Sequence, residues 1–173
     1  MNHTHRLVYI ALLTALSLAL YLLEGLIPMP FLAPGAKLGL ANLITVLALY
    51  TLPRWQDAAA ILMLRILLAS LFGGGPTVML YSLIGGLQSL VIMVILQHTG
   101  LFSPLGVSSA GGFVHNLGQL LTATLLSAHA GLLAYLPILG PCGLATGFLI
   151  GYTVQQILPK IQNWPSLTMA KEK

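Results

Sequence analysis

The sequence predicts an all-α, polytopic membrane protein of six transmembrane helices, and two observations carry that expectation. Of 173 residues, 57% are hydrophobic and 6% charged, with a mean hydropathy of +0.94. A water-soluble domain carries charge at about a quarter of its positions. The apolar residues also fall into six runs close to the roughly 17–25 residues that a helix needs to cross a bilayer. One transmembrane unit over residues 1–160, with a polar cytoplasmic tail over 161–173, accounts for the chain and leaves no room for a soluble catalytic domain.

The first span, 6–27, is too long for a signal-peptide core and ends at Pro28. The second, 37–52, and the third, 56–72, are short, so they form either a re-entrant pair or two crossings. The break Pro53-Arg54-Trp55-Gln56-Asp57 favours two crossings, with Arg54 and Trp55 as an interfacial anchor and Asp57 as a cap for the next helix. Gly73-Gly74-Gly75-Pro76 reads as a tight external turn before the fourth span, 77–97. It is no phosphate loop, for the Lys-Ser/Thr ending and preceding strand are missing. The fifth span, 104–128, opens in a Ser/Gly-rich turn, and the sixth, 135–158, stops at Pro159.

Charge orients this bundle. An even number of spans puts both termini on one side, and Arg6, Arg54, Lys160, Lys171 and Lys173 fall on that side against Lys37 on the other. The positive-inside rule makes that side cytoplasmic, in the cell membrane of a prokaryote. The net charge of +4 does not indicate nucleic acid, because the cations stand singly. Cys142 is alone, and no His or carboxylate joins His115 at ligand spacing, so neither a disulfide nor a metal or other cofactor is expected.

Chemistry is concentrated in a few polar residues. Arg65 stands mid-span in Ile61-Leu62-Met63-Leu64-Arg65-Ile66, where a central arginine costs roughly 3 kcal/mol to insert, so it faces inward and needs a partner. That partner is Glu24, backbone carbonyls or a ligand. Glu24, Lys37 and Arg65 together carry one surplus positive charge, which favours a carboxylate- or phosphate-bearing ligand if the three meet. On the fifth span His115 and Gln119 share a helix face with Asn116 beside it. Such a strip lines a cavity or glues helices together, and Asn42 and Gln88 belong to the same class. Ala11, Ala15 and Ala19 repeat at spacing four, a pattern that lets another helix approach, from inside the bundle or from outside it. Gly85-Gly86, Gly111-Gly112 and Gly147 with Gly151 read as close-packing positions.

Three segments carry a resemblance. Pro34-Gly35-Ala36-Lys37-Leu38-Gly39-Leu40-Ala41-Asn42, Arg65 with its Gly-Gly-Gly-Pro turn, and Gly111-Gly112-Phe113-Val114-His115-Asn116-Leu117-Gly118-Gln119 resemble the Gx transporter family, also labelled heptaprenyl diphosphate synthase component I. The likeness covers roughly residues 6–158. That family is related to the substrate-binding (S) components of energy-coupling-factor (ECF) vitamin transporters. The resemblance implies an ECF S-component-like bundle of six helices, both termini inside, with an external pocket capped by the first connection. It also implies that Ala11, Ala15 and Ala19 face a transmembrane coupling subunit that works with two ATPases.

The expected function is therefore that of a non-enzymatic, substrate-binding membrane subunit for uptake of a small anionic molecule such as a vitamin, quinone or isoprenoid precursor. Lys37 and Arg65 hold the anion while Asn42, His115, Asn116 and Gln119 orient it. The rival reading is a non-catalytic accessory of a prenyl diphosphate synthase or of a membrane redox complex. Prenyl transfer by this chain alone is excluded, because it needs clustered aspartates to hold Mg²⁺ and Asp57 is the only aspartate.

Overall fold

A computed structural model of the chain describes residues 3–26 and 39–162. Six α-helices follow one another: α1 (His3–Gly25), α2 (Leu40–Thr51), α3 (Trp55–Ala69), α4 (Gly75–Thr99), α5 (Pro104–Ser127) and α6 (Leu136–Gln162). A π-helical turn, Ser70–Gly74, joins α3 to α4, and a 3-10 turn, Ala130–Tyr135, precedes α6. No strand occurs among the described residues.

Four of these segments are long and apolar enough to cross a membrane: α1, α3 with its extension to Phe72, α4, and α6 with its leading turn. The expectation of six spans is met only in part. At 12 residues α2 is about 18 Å long, short of the roughly 30 Å hydrocarbon core. With 24 residues α5 has the length, but Ser108, Ser109, His115, Asn116 and Gln119 dilute its apolarity. Large side chains such as Leu12, Leu23, Leu71, Val91, Leu125 and Leu149 cover the outside, as in a protein solvated by lipid.

Turn chemistry sets the helix boundaries. Gly100, at φ 67°, lets the chain leave α4. Ser103 then caps α5 by accepting from the Gly106 amide, with Pro104 in the first turn. The glycine run turns the chain through a π-helical segment to Gly74, and Gly75, at φ 66°, opens α4. One sequence expectation fails here. Pro159 does not end α6, which continues to Gln162.

Two sets of helices pack differently. In α4–α6 the backbones nearly touch. A Cβ on Gly112 or Gly143 would overlap the other's carbonyl oxygen, one on Gly147 the Ser108 carbonyl, and one on Gly151 would lie 2.6 Å from the Leu105 Cα. Gly85, Gly112, Gly147 and Gly151 thus act as close-packing positions between backbones, whereas Gly86 and Gly111 make room for the side chains of Leu62 and Met93. Gln88 sits against Gly118 in the same seam between α4 and α5. The α1–α3 set meets instead through larger side chains, with Leu13, Ile44, Val46, Ile61 and Leu62 in the core. The two sets join where α3 meets α4 and α2 meets α6.

Polar contacts fix α1 at both ends. Near its start, Arg6 grips Asp57 with two hydrogen bonds, one of them 2.9 Å from Nε to Oδ2. Asp57 is therefore not the cap of α3; that position belongs to Arg54, and Asp57 is a buried acceptor for a cation 51 residues away. Ser17 donates to the Ala41 carbonyl at 3.1 Å. At the far end, Glu24 accepts from the amides of Gly39 (2.6 Å) and Leu40 (3.0 Å). A carboxylate there supplies acceptors for amides that have no partner inside α2 and complements the helix dipole. Replacing Glu24 by alanine strands both amides beneath a residue only 5% exposed. The expected loss is about 1–2 kcal/mol, read as a lowered thermal midpoint in detergent, with Glu24→Gln recovering part of it.

Arg6, Arg54 and Lys160 lie at one end of the bundle. The Arg6–Asp57 pair, the Gln97–Leu49 hydrogen bond and the antiparallel α5–α6 contact place them there together. On α1, Ala11, Ala15 and Ala19 are all exposed, while Leu13, Thr14, Ser17 and Glu24 face the bundle. Among the described residues no helix packs against the alanine stripe.

Candidate functional site

The site is built where α2 begins. Gly39 adopts φ 77°, which a side chain disfavours, and the Asn42 amide closes over it, 3.1 Å from where a Cβ would stand. The Asn42 backbone donates to the Gly39 carbonyl at 2.8 Å, and Glu24 secures the same turn. Asn42 is thus held at the mouth of α2 with its side chain turned inward.

Arg65 lies ten residues into α3, about 15 Å from the helix start, a rise of about half the thickness of a bilayer's hydrocarbon core. It is 6% exposed. Its Nη2 donates to Asn42 Oδ1 over a long 3.4 Å, and its buried Nε has no partner. No carboxylate among the described residues lies within ion-pair distance of it. Glu24, one of its expected partners, is committed to the α2 amides. The guanidinium is always charged, so among the described residues this is a buried cation with one long hydrogen bond and no carboxylate at ion-pair distance.

Arg65 lines one of two small voids, and its bonded neighbour Asn42 lines the other. One, about 10 Å³, lies between Arg65, Tyr21, Met79 and Ser82. The other, about 20 Å³, is lined by Asn42, Ser89, Ser108, His115, Asn116 and Thr146, and so joins α2 to α4, α5 and α6. Each holds about one water. Asn42 stands between them, bonded to Arg65 on one side and lining the second void on the other. The Nδ1 atom of His115 is buried without a partner, as is Thr45 Oγ1 on α2. Asn116 does two things: its Nδ2 donates to the Leu139 carbonyl at 2.9 Å, gluing α5 to α6, and it also lines the second void.

Four of the six residues expected at the site, Asn42, Arg65, His115 and Asn116, are therefore gathered around these voids. Gln119 is not among the lining residues; it packs on Gly85 in the α4–α5 seam, 2.9 Å from where a Cβ there would stand. Lys37, and with it the anticipated pairing to Glu24, lies outside the described residues. Among the described residues no cluster of His, Cys, Asp or Glu suits a metal ion.

Sequence reasoning passed over Tyr21, Ser89, Ser108 and Thr146. The α1 trio had a signal: Ser17, Tyr21 and Glu24 recur at helical spacing and mark one polar face. The hydroxyls had none, since Ser and Thr in apolar helices commonly bond back to their own helix, as Thr14, Ser109 and Thr122 do here.

The polar residues of α2, α3 and α5 that converge here all fall within one stretch of the chain, residues 13–157, and that stretch matches the family described as heptaprenyl diphosphate synthase component I. The chain belongs to this family. No curated protein and no solved structure matches it. As a heptaprenyl diphosphate synthase component I family member, the chain is a membrane protein, and the family's name describes one component of a larger assembly.

Proposed function

We propose that the chain is the substrate-binding subunit of an uptake system for a small anionic molecule, crossing the cell membrane six times with both termini in the cytoplasm. The carrying observation is Arg65: a buried cation with, among the described residues, no carboxylate at ion-pair distance and no partner for its Nε. Keeping such a charge mid-membrane is costly and is most readily offset by an anion that arrives from outside. A carboxylate or phosphate fits a guanidinium through paired, charge-assisted hydrogen bonds. His115 Nδ1, Asn42 and Asn116 then supply the polar contacts that orient the rest of the molecule.

The voids are far below the roughly 300 Å³ of an ordinary ligand pocket, so loading requires α2 to part from α4–α6. That seam is the one that opens because α2 contributes side-chain packing there, whereas α4–α6 is locked backbone to backbone. The chain itself catalyses nothing on this reading. Its cytoplasmic end carries Arg6, Arg54 and Lys160, in keeping with the positive-inside rule. The exposed Ala11, Ala15 and Ala19 face offers a smooth surface to an ECF-type coupling subunit with its ATPases.

The family name favours one other reading, a non-catalytic membrane accessory of a prenyl diphosphate synthase or of a redox complex. Affinity purification from the native membrane separates the two. Recovery of an ATPase pair with its membrane coupling subunit is the expected result. Recovery of a soluble, aspartate-rich synthase instead would move the chain to the accessory role.

A further inference from the structure

A third cavity, far larger than the two voids of the candidate site, opens at the basic end of the bundle. It measures about 610 Å³ and lies where the α2–α3 connection faces the end of α4. Its wall is of two kinds: Pro53 and Trp55 give exposed apolar surface over the buried Leu49 and Leu52, while Arg54, Gln97 and His98 are polar. Gln97 Nε2 donates to the Leu49 carbonyl at 2.9 Å and so ties the two helix ends together at the cleft.

The charge balance in this cleft is one-sided. Asp57, three residues from Arg54, has both carboxylate oxygens engaged by Arg6. Arg54 forms no ion pair with any described residue. His98 and Arg54 are exposed, and Trp55 is 46% exposed beside them. A cation next to an indole at the end of an apolar bundle sits at headgroup depth.

We propose that this cleft binds an amphiphile whose phosphate headgroup carries a net negative charge, as that of phosphatidylcholine does not, with the phosphate on Arg54 and His98 and the adjoining hydrocarbon against Pro53 and Trp55. A phosphate alone gains nothing from the apolar wall, and a hydrocarbon chain alone gains nothing from an unpaired arginine. The mixed lining selects a molecule that has both, and the volume suits a headgroup with the start of its tail. The site is separate from Arg65 and does not depend on the uptake reading.

Trp55 reports on the cleft directly. Trp55 and Trp164 are the two tryptophans, so Trp164→Phe leaves Trp55 as the only one. That protein, in phosphatidylcholine nanodiscs, is titrated with brominated phosphatidylglycerol or brominated phosphatidylcholine while Trp55 quenching is followed. Half-quenching is expected at about tenfold lower mole fraction of the anionic lipid, the gain from one charge-assisted contact. Arg54→Gln erases that preference. Lys160→Gln, which removes an exposed cation that does not line the cleft, keeps it. If the two lipids quench alike but octyl phosphate shifts Trp55 emission in an Arg54-dependent manner, the amphiphile arrives from the aqueous side. Equal quenching without that response overturns the site. So does a preference that survives Arg54→Gln, or one that Lys160→Gln removes equally.

Discussion

Arg65→Met raises the thermal stability of the ligand-free protein while removing its capacity to hold an anion. Methionine keeps an unbranched side chain of similar reach and takes away the charge. Among the described residues Arg65 gives the bundle little in return for burial: a single 3.4 Å hydrogen bond to Asn42 and an Nε with no partner. Replacing buried ionic groups by packed apolar ones is often stabilising by about 1–4 kcal/mol, and the lower half of that range is expected here, since one weak bond is lost. A residue retained at the expense of stability is the signature of a binding role. An arginine that merely tied helices together would behave oppositely, and the thermal midpoint of Arg65→Met would fall. Thermal unfolding of the two purified proteins in the same detergent, after exhaustive washing to remove bound molecules, distinguishes these outcomes.

The largest loss of stability is expected at Gly112→Val. The new Cβ would overlap the Gly143 carbonyl oxygen and stand 3.1 Å from the Gly147 Cα. Both obstacles are backbone, so no rotamer change relieves them, and α6 must move away from α5. Overpacking of this kind costs about 1–3 kcal/mol in ordinary cores, and the upper end or beyond applies where helix backbones are in contact. Movement of α6 also pulls the Leu139 carbonyl from Asn116 and distorts the second void. Gly131→Ala is the matched control, because its nearest neighbour is a His129 side-chain atom at 3.6 Å. A midpoint for Gly112→Val equal to that of Gly131→Ala would mean that α5 and α6 do not pack at the distance described.

Much of this arrangement is legible in the sequence, for reasons that separate what hydropathy encodes from what it does not. Helical segments and their breaks follow from apolar run lengths, and Arg65 stands out because a charge inside such a run is expensive wherever it points. Glycine pairs declare close packing because little else explains them in an apolar helix. Long-range partnerships carry no local mark. Nothing near Asp57 reveals that Arg6 will reach it, so a buried ion-pair acceptor reads as a helix cap. Glu24 likewise invites pairing with a cation, whereas the α2 amides, two unmatched donors produced by the fold itself, claim it first. The outward direction of Ala11, Ala15 and Ala19 was equally hidden, because spacing gives a face but not what that face meets. At the fifth span the polar strip splits by one helical turn: His115 and Asn116 meet a void, and Gln119 meets Gly85.

The central claim is that the unpaired guanidinium of Arg65 seats an anion, and native mass spectrometry of gently solubilised protein tests it most directly. Wild type and Lys160→Gln are expected to carry the same anionic small-molecule adduct, and Arg65→Met to be bare. The same adduct on Arg65→Met at wild-type occupancy would contradict the account.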